Sequence, residues 1–351
     1  MNTGDRGRLS PDCRGGSLAP PARRGLKPAP YKRPVAATIV LLLAFSLPAR
    51  AEQRFALIIS GAAGSPQYAE QYSQWATNLQ TILIERMKLA RPRLTVLRDG
   101  AGAENAATAG NVRRTLGAIR KSMVRGDLLL IVLIGHGTFD GMDAKFNLVG
   151  PDLESAEWAG LIEGLPGQVV FVNTASASFP FLERLAGPRR IVISATDTIA
   201  QRFDTVFAEY FIKALQGDAG DLDKNGRISM WEAFAAATDG VRRHYQQRGQ
   251  LATERGLLDD SGDGVGHDAT GSSDDGSAAS RIYLDEALPG AAPTDEVLLQ
   301  LLQKRAALET EADELKIRRS FLPPAEYQKE FERIMIELAR VARNIRQRVK
   351  S

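Results

Sequence analysis

A histidine between two glycines follows the most apolar stretch of the chain. Leu128 to Ile134 is an unbroken run of seven Leu, Ile and Val residues, and Gly135-His136-Gly137 comes directly after it. Such a run is typical of a strand buried on both faces of a parallel sheet. Because open α/β sheets bind ligands at the carboxyl ends of their strands, the sequence predicts that His136 lies where chemistry would take place. A strand-ending turn with an incidental histidine is the simpler alternative.

An acidic stretch further along carries the full pattern of an EF-hand calcium loop. Oxygen-bearing residues alternate along it, and a closing glutamate ends it. The predicted ligands are Asp221, Asp223, Asn225, the carbonyl of Arg227, Ser229 and Glu232, with Gly226 making the turn. Calcium requires hard oxygen ligands, so Ca²⁺ is the predicted cofactor and its role is to fix the start of the following helix. An acidic surface turn without a metal is the alternative.

A second acidic stretch, Leu257 to Asp268, begins like another calcium loop. It has Thr270 where the closing acid should stand. We therefore predict a flexible acidic loop, continued by a polar surface segment from Gly271 to Ser280.

The first 51 residues have the pattern of a secretory leader. A basic segment precedes a short apolar core from Val35 to Leu47, and Ala49-Arg50-Ala51 provides small residues for cleavage. The core is shorter than the roughly 20 residues that a spanning helix requires. The sequence thus predicts an exported protein, periplasmic or secreted, with no membrane span after the leader is removed.

Removal of this leader changes both the charge and the cysteine content. Residues 1–51 carry nine of the 45 Lys and Arg residues and two of the 42 Asp and Glu residues, so the remainder has a net charge of −4. The basic isoelectric point therefore gives no reason to predict nucleic-acid binding. The only cysteine, Cys13, also lies in the leader. The remaining chain has neither a disulfide nor a thiol nucleophile.

Strand and helix patterns alternate along the middle of the chain. Predicted strands are Arg54–Ser60, Leu94–Leu97, Leu128–Ile134, Gln168–Val172 and Arg190–Ser194, and helices are expected near 66–90, 111–123, 204–215 and 230–247. This alternation predicts an α/β fold with a doubly wound, mostly parallel sheet flanked by helices.

The composition changes after Pro289-Gly290. Apolar residues recur at spacings of three and four on both sides of Pro323-Pro324, and the predicted seams include Leu308 and Leu338. Two such helices predict an antiparallel helical hairpin or a coiled-coil arm over 291–351, with self-association as one role. The basic end of the second helix is interpreted as a solvated face, with an acidic partner as the alternative.

Taken together, these features resemble the caspase-like cysteine peptidases, particularly the legumain-type branch and bacterial caspase-domain proteins. The resemblance rests on the strand pattern, on Gly61-Ala-Ala-Gly-Ser65, on Gly-His136-Gly and on the Asp-x-Asp-x-Asn-Gly loop, and it covers Arg54 to Gln247. It implies that residues 52–290 form a caspase-like α/β domain with the calcium loop 221–232 inserted late. It also implies that His136 polarises the reaction and that the Gly137 amide is an oxyanion donor.

The nucleophile that this family requires is missing. The turn after the fourth strand reads Asn173-Thr-Ala175-Ser176-Ala-Ser178, and Ala175 stands where the family has its cysteine. A methyl group cannot replace a thiolate. Ser176 or Ser178 would need a base that accepts its proton fully and is oriented by a third group. Asp197, after the fifth strand, is a candidate neighbour of the pocket that sets substrate specificity in this family. The alternative is a structural role in capping or hydrogen bonding.

Three functions remain open from the sequence. The first is a catalytically inactive pseudopeptidase that binds a peptide or protein partner. The second is an active hydrolase that uses Ser176 or Ser178 with His136. The third is an assembly module in which the hairpin oligomerises and calcium stabilises the globular domain. Whether the protein is an enzyme is thus uncertain from the sequence.

Overall fold

The computed structural model describes residues 52–201, 203–270, 275–285 and 296–350. The predicted leader, Cys13 and the Pro289-Gly290 boundary lie outside these residues. Ala51–Ser351 form one compact unit.

The long apolar runs form the central strands of a six-stranded sheet. In chain order the strands are β1 (Arg54–Ser60), β2 (Leu94–Arg98), β3 (Leu128–Ile134), β4 (Gly137–Phe139), β5 (Ala144–Phe146), β6 (Leu153–Glu154), β7 (Gln168–Asn173), β8 (Arg190–Ser194) and β9 (Leu257–Asp259). The large sheet has the order β2-β1-β3-β7-β8-β9, and all its neighbours are parallel except β8 and β9. The predicted mostly parallel α/β sheet is confirmed.

Helices cover both faces of this sheet. They are α1 (Pro66–Thr81), α2 (Ala109–Ser122), α3 (Ser155–Ile162), α4 (Phe179–Leu185), α5 (Phe207–Gln216), α6 (Met230–Gln247), α7 (Glu296–Ile317) and α8 (Pro324–Lys350). The first helix begins where expected, since Ser65 caps the Tyr68 amide, and it closes with a π-helical turn at Ile82–Arg86. In the part of the chain that the structure describes, no helix combines the length and apolarity needed to cross a membrane.

The central strand β3 shows why its sequence is continuously apolar. Leu128, Leu130, Val132 and Ile134 belong to the core shared with α1, α5 and α6. The alternate residues Leu129, Ile131 and Leu133 belong to the core shared with α2, α3 and α4. Because successive strand side chains point to opposite faces, a strand covered on both sides needs apolar residues at every position.

Short antiparallel strands were not predicted. Residues after His136 fold back into the small sheet β4-β5-β6, and β9 pairs with β8 at the edge of the large sheet. Strands of two or three residues are too short to show an alternation in the sequence, so only their tertiary pairing reveals them.

The second acidic stretch is more buried than its composition suggests. Asp259 and Asp275 are 1% and 4% exposed. Asp259 accepts hydrogen bonds from the amides of Gly262 and Gly264, and Asp275 accepts from those of Asp260 and Ser261. The predicted polar surface segment is therefore wrong at Asp275, Gly276, Ala279 and Ser280, which are buried, because the Asp275 carboxylate satisfies backbone donors of the loop.

The C-terminal helices form the predicted antiparallel hairpin. Lys304 on α7 pairs with Glu337 on α8 at 3.4 Å, and Glu311 pairs with Arg333. Residues further along α7 thus meet residues earlier on α8.

The hairpin also packs against the α/β domain. Arg305 donates a hydrogen bond of 2.9 Å to the Leu222 carbonyl, and Gln303 donates to the Asp275 carbonyl at 3.2 Å. Leu298, Leu299 and Leu302 belong to the same core as α6. One face of α7 is therefore covered by the domain, and self-association of the hairpin stays a prediction.

Truncating Leu308 tests this packing. Leu308 is 6% exposed within the hairpin core. We expect Leu308→Ala to lower the free energy of unfolding by about 2 kcal/mol, at the lower end of buried leucine truncations because the site borders solvent. Urea unfolding of this variant and of Leu251→Ala provides the measurement, since Leu251 is 91% exposed. Equal losses in the two variants would contradict the packing.

Candidate functional site

The turns after β3 and β7 meet at the carboxyl edge of the sheet. Gly135 has a φ of +153° between Ile134 and His136. A Cβ atom built on Gly137 would lie 2.1 Å from the Ser176 carbonyl oxygen. Glycine at position 137 therefore lets the two turns come into backbone contact, which is the close approach that a glycine permits.

His136 is held by partners from two other elements. Its Nδ1 lies 3.1 Å from Asp204 Oδ1, and the Tyr72 hydroxyl lies 3.1 Å from Nε2 and 3.3 Å from Nδ1. The Tyr68 ring meets the imidazole edge-on at 4.7 Å, and its hydroxyl donates to Asp204. An imidazole that donates from Nδ1 to Asp204 offers Nε2 as the acceptor for the Tyr72 hydroxyl.

The two tyrosines stay protonated in this arrangement. Burial of the Tyr72 hydroxyl, reinforced by the charge of Asp204, raises the pKa of that phenol well above its usual value. The hydrogen bond to Asp204 raises the pKa of Tyr68. The cluster therefore supplies phenolic donors and one oriented imidazole.

The turn after β7, where the resembled family has its nucleophile, carries the buried methyl group of Ala175. Ala175 is 0% exposed and belongs to the core under α4. The Asn173 side-chain oxygen accepts the Ala175 amide at 3.1 Å, and Ala177 has a φ of +51°. The turn is thus folded tightly on itself, with no reactive group at position 175.

Both nearby serines are engaged in structural hydrogen bonds. Ser176 Oγ donates to the Gly137 carbonyl at 3.0 Å and accepts from the Gly137 amide at 3.3 Å. Ser178 is fully buried, and its Oγ accepts from the Ala195 and Thr196 amides at 3.0 and 3.2 Å. Among the described residues, neither serine is hydrogen-bonded to His136. The Gly137 amide is likewise occupied by Ser176 in this conformation.

Asp204 is the site residue that the sequence did not reveal. It lies just before α5, where a carboxylate reads as an ordinary helix-start residue. Asp197, the acid that the sequence suggested, instead accepts from Gln201 at 2.8 Å and lies 3.7 Å from Arg255. It contributes to the loop after β8 and does not contact His136.

The predicted calcium loop, residues 221–232, brings three carboxylates together. Ligand atoms of Asp221, Asp223 and Glu232 lie within 4.8 Å of one another, and all three side chains are buried. Gly226 has a φ of +86°, in the left-handed region that a glycine adopts freely. Burial raises the pKa of Glu232 and that of Asp223, the latter to about 7. Carboxylates crowded in this way fit a hard cation.

The other predicted loop positions have other contacts. Asn225 donates from its amide to Asp223 at 2.9 Å, and Ser229 donates from its hydroxyl to Glu232 at 2.9 Å while capping α6. The Arg227 guanidinium pairs with Asp285 at 2.7 Å. Asn225 and Ser229 thus stand beside the carboxylates as further oxygen donors, and the side chain of Arg227 points to another partner.

The second acidic stretch and the segment after it do not bring three carboxylates together among the described residues. In the described part of the chain, only Asp221, Asp223 and Glu232 form a group of three or more candidate metal ligands. Asp259 bonds to backbone amides, and Asp275 lies 2.7 Å from Nδ1 of His267.

A cavity of about 310 Å³ is lined mainly by residues of α5 and α6 and contains no residue of the His136 cluster. Tyr210, Lys213, Arg243 and His244 are among its lining residues. The two cations are already paired, Lys213 with Glu209 and Arg243 with Asp239. The cavity therefore gives no reason to move the candidate site away from His136.

Comparisons with known proteins add little to this geometry. No known protein-family model matches the chain, and no curated protein sequence matches it. Among solved structures, the chain is similar to protein GSU0716 from Geobacter sulfurreducens, with a TM-score of 0.40 and 15% sequence identity. The alignment covers 59% of this chain and 92% of that chain. At this level the likeness carries no functional argument.

Proposed function

We propose that the protein is an exported caspase/legumain-like pseudopeptidase that binds a peptide or protein without cutting it. The observation that carries the proposal is an oriented histidine at the edge of the sheet. His136 is fixed by Asp204 and Tyr72, and by the sequence resemblance Ala175, a buried methyl group, stands where the family has its thiol. A histidine without a nucleophile can donate and accept hydrogen bonds but cannot start acyl transfer.

The contacts of the two serines argue against the hydrolase alternative. A serine nucleophile must be hydrogen-bonded to its base, or able to reach it with little movement. The Ser176 hydroxyl is bonded to both backbone groups of Gly137, and Ser178 is enclosed beside Thr196. Each would have to give up these bonds before reaching His136.

The surroundings of His136 supply a surface for binding. The Asp204 side chain is 49% exposed even though it contacts His136 and Tyr68. Phe203, next to it in the chain, is 68% exposed, and Ile199 in the same loop is 45% exposed. Apolar side chains beside a half-exposed carboxylate can contact a peptide through both packing and hydrogen bonds.

A diverse peptide library tests the absence of catalysis. We expect wild type, His136→Ala, Ser176→Ala and Ser178→Ala to leave the library intact by mass spectrometry, and we expect no labelling by a serine-reactive fluorophosphonate. The reason is that the hydroxyl groups of Ser176 and Ser178 are hydrogen-bonded to other groups and not to His136, so no base activates them. Wild-type cleavage that is lost in His136→Ala and in either serine variant would establish the serine hydrolase instead.

The same library tests binding. Peptides retained by immobilised wild-type protein should be released when Asp204→Ala removes the carboxylate beside His136. Glu183→Ala is the matched control, because Glu183 is an exposed acid on α4, away from this edge. Retention of no peptide, or equal loss in both variants, would contradict the binding role.

We further propose that Ca²⁺ occupies the loop 221–232 as a structural ion. Three mutually close, buried carboxylates support this, because uncompensated charges in a buried site are costly. The bound ion would neutralise that charge while Glu232 keeps its place at the start of α6. Export, with removal of residues 1–51, is proposed from the leader pattern alone.

A further inference from the structure

All charged residues in the C-terminal half of α8 are basic. From Ala339 to Lys350 the chain has five Lys or Arg residues and no Asp or Glu residue. Arg340, Arg343 and Arg346 are exposed, and within the described residues none of them forms an ion pair. The earlier part of the same helix differs, because Arg333 there pairs with Glu330 and Glu337.

Helix stability does not account for this charge. Cations near a helix C-terminus interact favourably with the helix dipole, but the effect falls off within the last turn. Arg340 and Arg343 lie ten and seven residues before the end of α8 at Lys350. They are therefore beyond the reach of the dipole and have no intramolecular carboxylate among the described residues.

The arginines lie on the outer face of the hairpin. Ile334, Val341 and Ile345 are buried and belong to the core shared with α7. At 100° per residue, Arg343 lies opposite these residues, and Arg340 lies about 120° around the helix from them. The packed face thus holds the helix in place while the basic face stays accessible.

Apolar side chains continue this basic face. Met335 and Ile336 are 46% and 45% exposed. Ile336, Arg340 and Arg343 stand at positions i, i+4 and i+7, so they share one side of the helix. An exposed aliphatic residue in line with arginines is the combination found in helices that lie on an anionic membrane surface.

We propose that the outer face of α8 binds an anionic phospholipid surface. Arginine guanidinium groups match phosphate oxygens in geometry and charge. Ile336 and Met335 favour lipid over nucleic acid, because a phosphate backbone gives exposed aliphatic side chains nothing to pack against. The contact is peripheral and reversible, since the apolar face of α8 remains packed on α7. This surface is independent of the site around His136.

Vesicle sedimentation of residues 52–351 tests the proposal. These residues contain both hydrophobic cores and all but the first residue of the compact unit, and circular dichroism before the assay verifies that they are folded. The protein should bind vesicles of equal parts phosphatidylglycerol and phosphatidylcholine, and not pure phosphatidylcholine. Replacing Arg340, Arg343 and Arg346 by Gln should weaken binding about 100-fold, roughly fivefold for each arginine. Binding should also weaken as salt rises.

A matched variant removes the same charge elsewhere. Lys121→Gln, Arg125→Gln and Arg184→Gln change exposed cations of α2, the loop after it and α4, and should leave binding unchanged. Circular dichroism verifies that both triple variants keep their helices. Absence of vesicle binding, or equal loss in both triple variants, would overturn the proposal. Tighter binding to duplex DNA or to polyglutamate than to the anionic vesicles would overturn it too, and would assign the face to an acidic polymer.

Discussion

Free calcium at 100 times its dissociation constant should raise the free energy of unfolding by about 2.7 kcal/mol. The gain arises because the ion binds only the folded loop, where Asp221, Asp223 and Glu232 are buried within 4.8 Å of one another. In chelator the same carboxylates repel one another with no cation between them, and only hydrogen bonds from the loop offset that repulsion. Urea unfolding at fixed pH, in chelator and in calcium, gives the difference directly.

Glu232→Gln should abolish most of that gain, since the closing bidentate ligand is lost. It should also cost some stability in chelator, because Glu232 accepts the backbone amides of Leu222, Asp223 and Ser229. The matched control is Glu254→Gln, a carboxylate buried to the same degree but outside the loop. Calcium should raise the free energy of unfolding of Glu254→Gln by the same amount as that of wild type. Identical unfolding curves with and without calcium would refute the site.

Stability should also depend on the protonation of Glu254. Its carboxylate is 3% exposed and accepts from the amides of Val206 and Phe207 at the start of α5 and from the Tyr245 hydroxyl. Burial raises the pKa of Glu254 from the ordinary 4.5 to about 7. The folded protein therefore holds this proton more tightly than the unfolded chain does.

The sign of the effect follows from that difference. The stabilising contribution is fully present below pH 4.5 and is lost as the pH rises through about 7. The loss amounts to about 3 kcal/mol. Compared with wild type, Glu254→Gln should become progressively more stable as the pH increases over this range. Wild type and Glu254→Gln are compared in the same buffers, so that the contribution of every other group is common to both.

An exposed acid provides the comparison for this pH series. The free energy of unfolding of Glu183→Gln should change with pH in the same way as that of wild type, because Glu183 lies exposed on α4. If the Glu254→Gln curve were parallel to wild type as well, the carboxyl group would titrate alike in the folded and unfolded chains, and its burial would have no energetic consequence.

The central strand and the helical hairpin could be predicted because each is encoded by a pattern of residues that are close together in the chain. The continuous apolar run of Leu128–Ile134 predicts a strand covered on both faces, and the structure places it in the middle of the sheet. The apolar residues that recur at spacings of three and four on either side of Pro323-Pro324 predict two packed helices, which α7 and α8 form. In both, the period of the side chains dictates the face that is buried.

The environment of His136 could not be predicted in the same way. Asp204 is 68 residues away in the chain, and Tyr68 and Tyr72 on α1 precede the histidine by 68 and 64 residues. Nothing in the spacing of these residues distinguishes them from ordinary surface and core positions. They meet His136 only because α1 and the segment before α5 pack at the same edge of the sheet.

The sequence by itself thus determined the α/β alternation, the helical hairpin, the spacing of the predicted calcium ligands and the lack of a thiol after residue 51. Each depends on residue identity or on short-range periodicity. Only the tertiary structure decided that Ser176 bonds to the Gly137 backbone and that Asp204 orients His136. It also decided that Arg305 of α7 donates a hydrogen bond to Leu222 in the predicted calcium loop. These contacts join residues far apart in the chain, and their geometry depends on how whole helices pack.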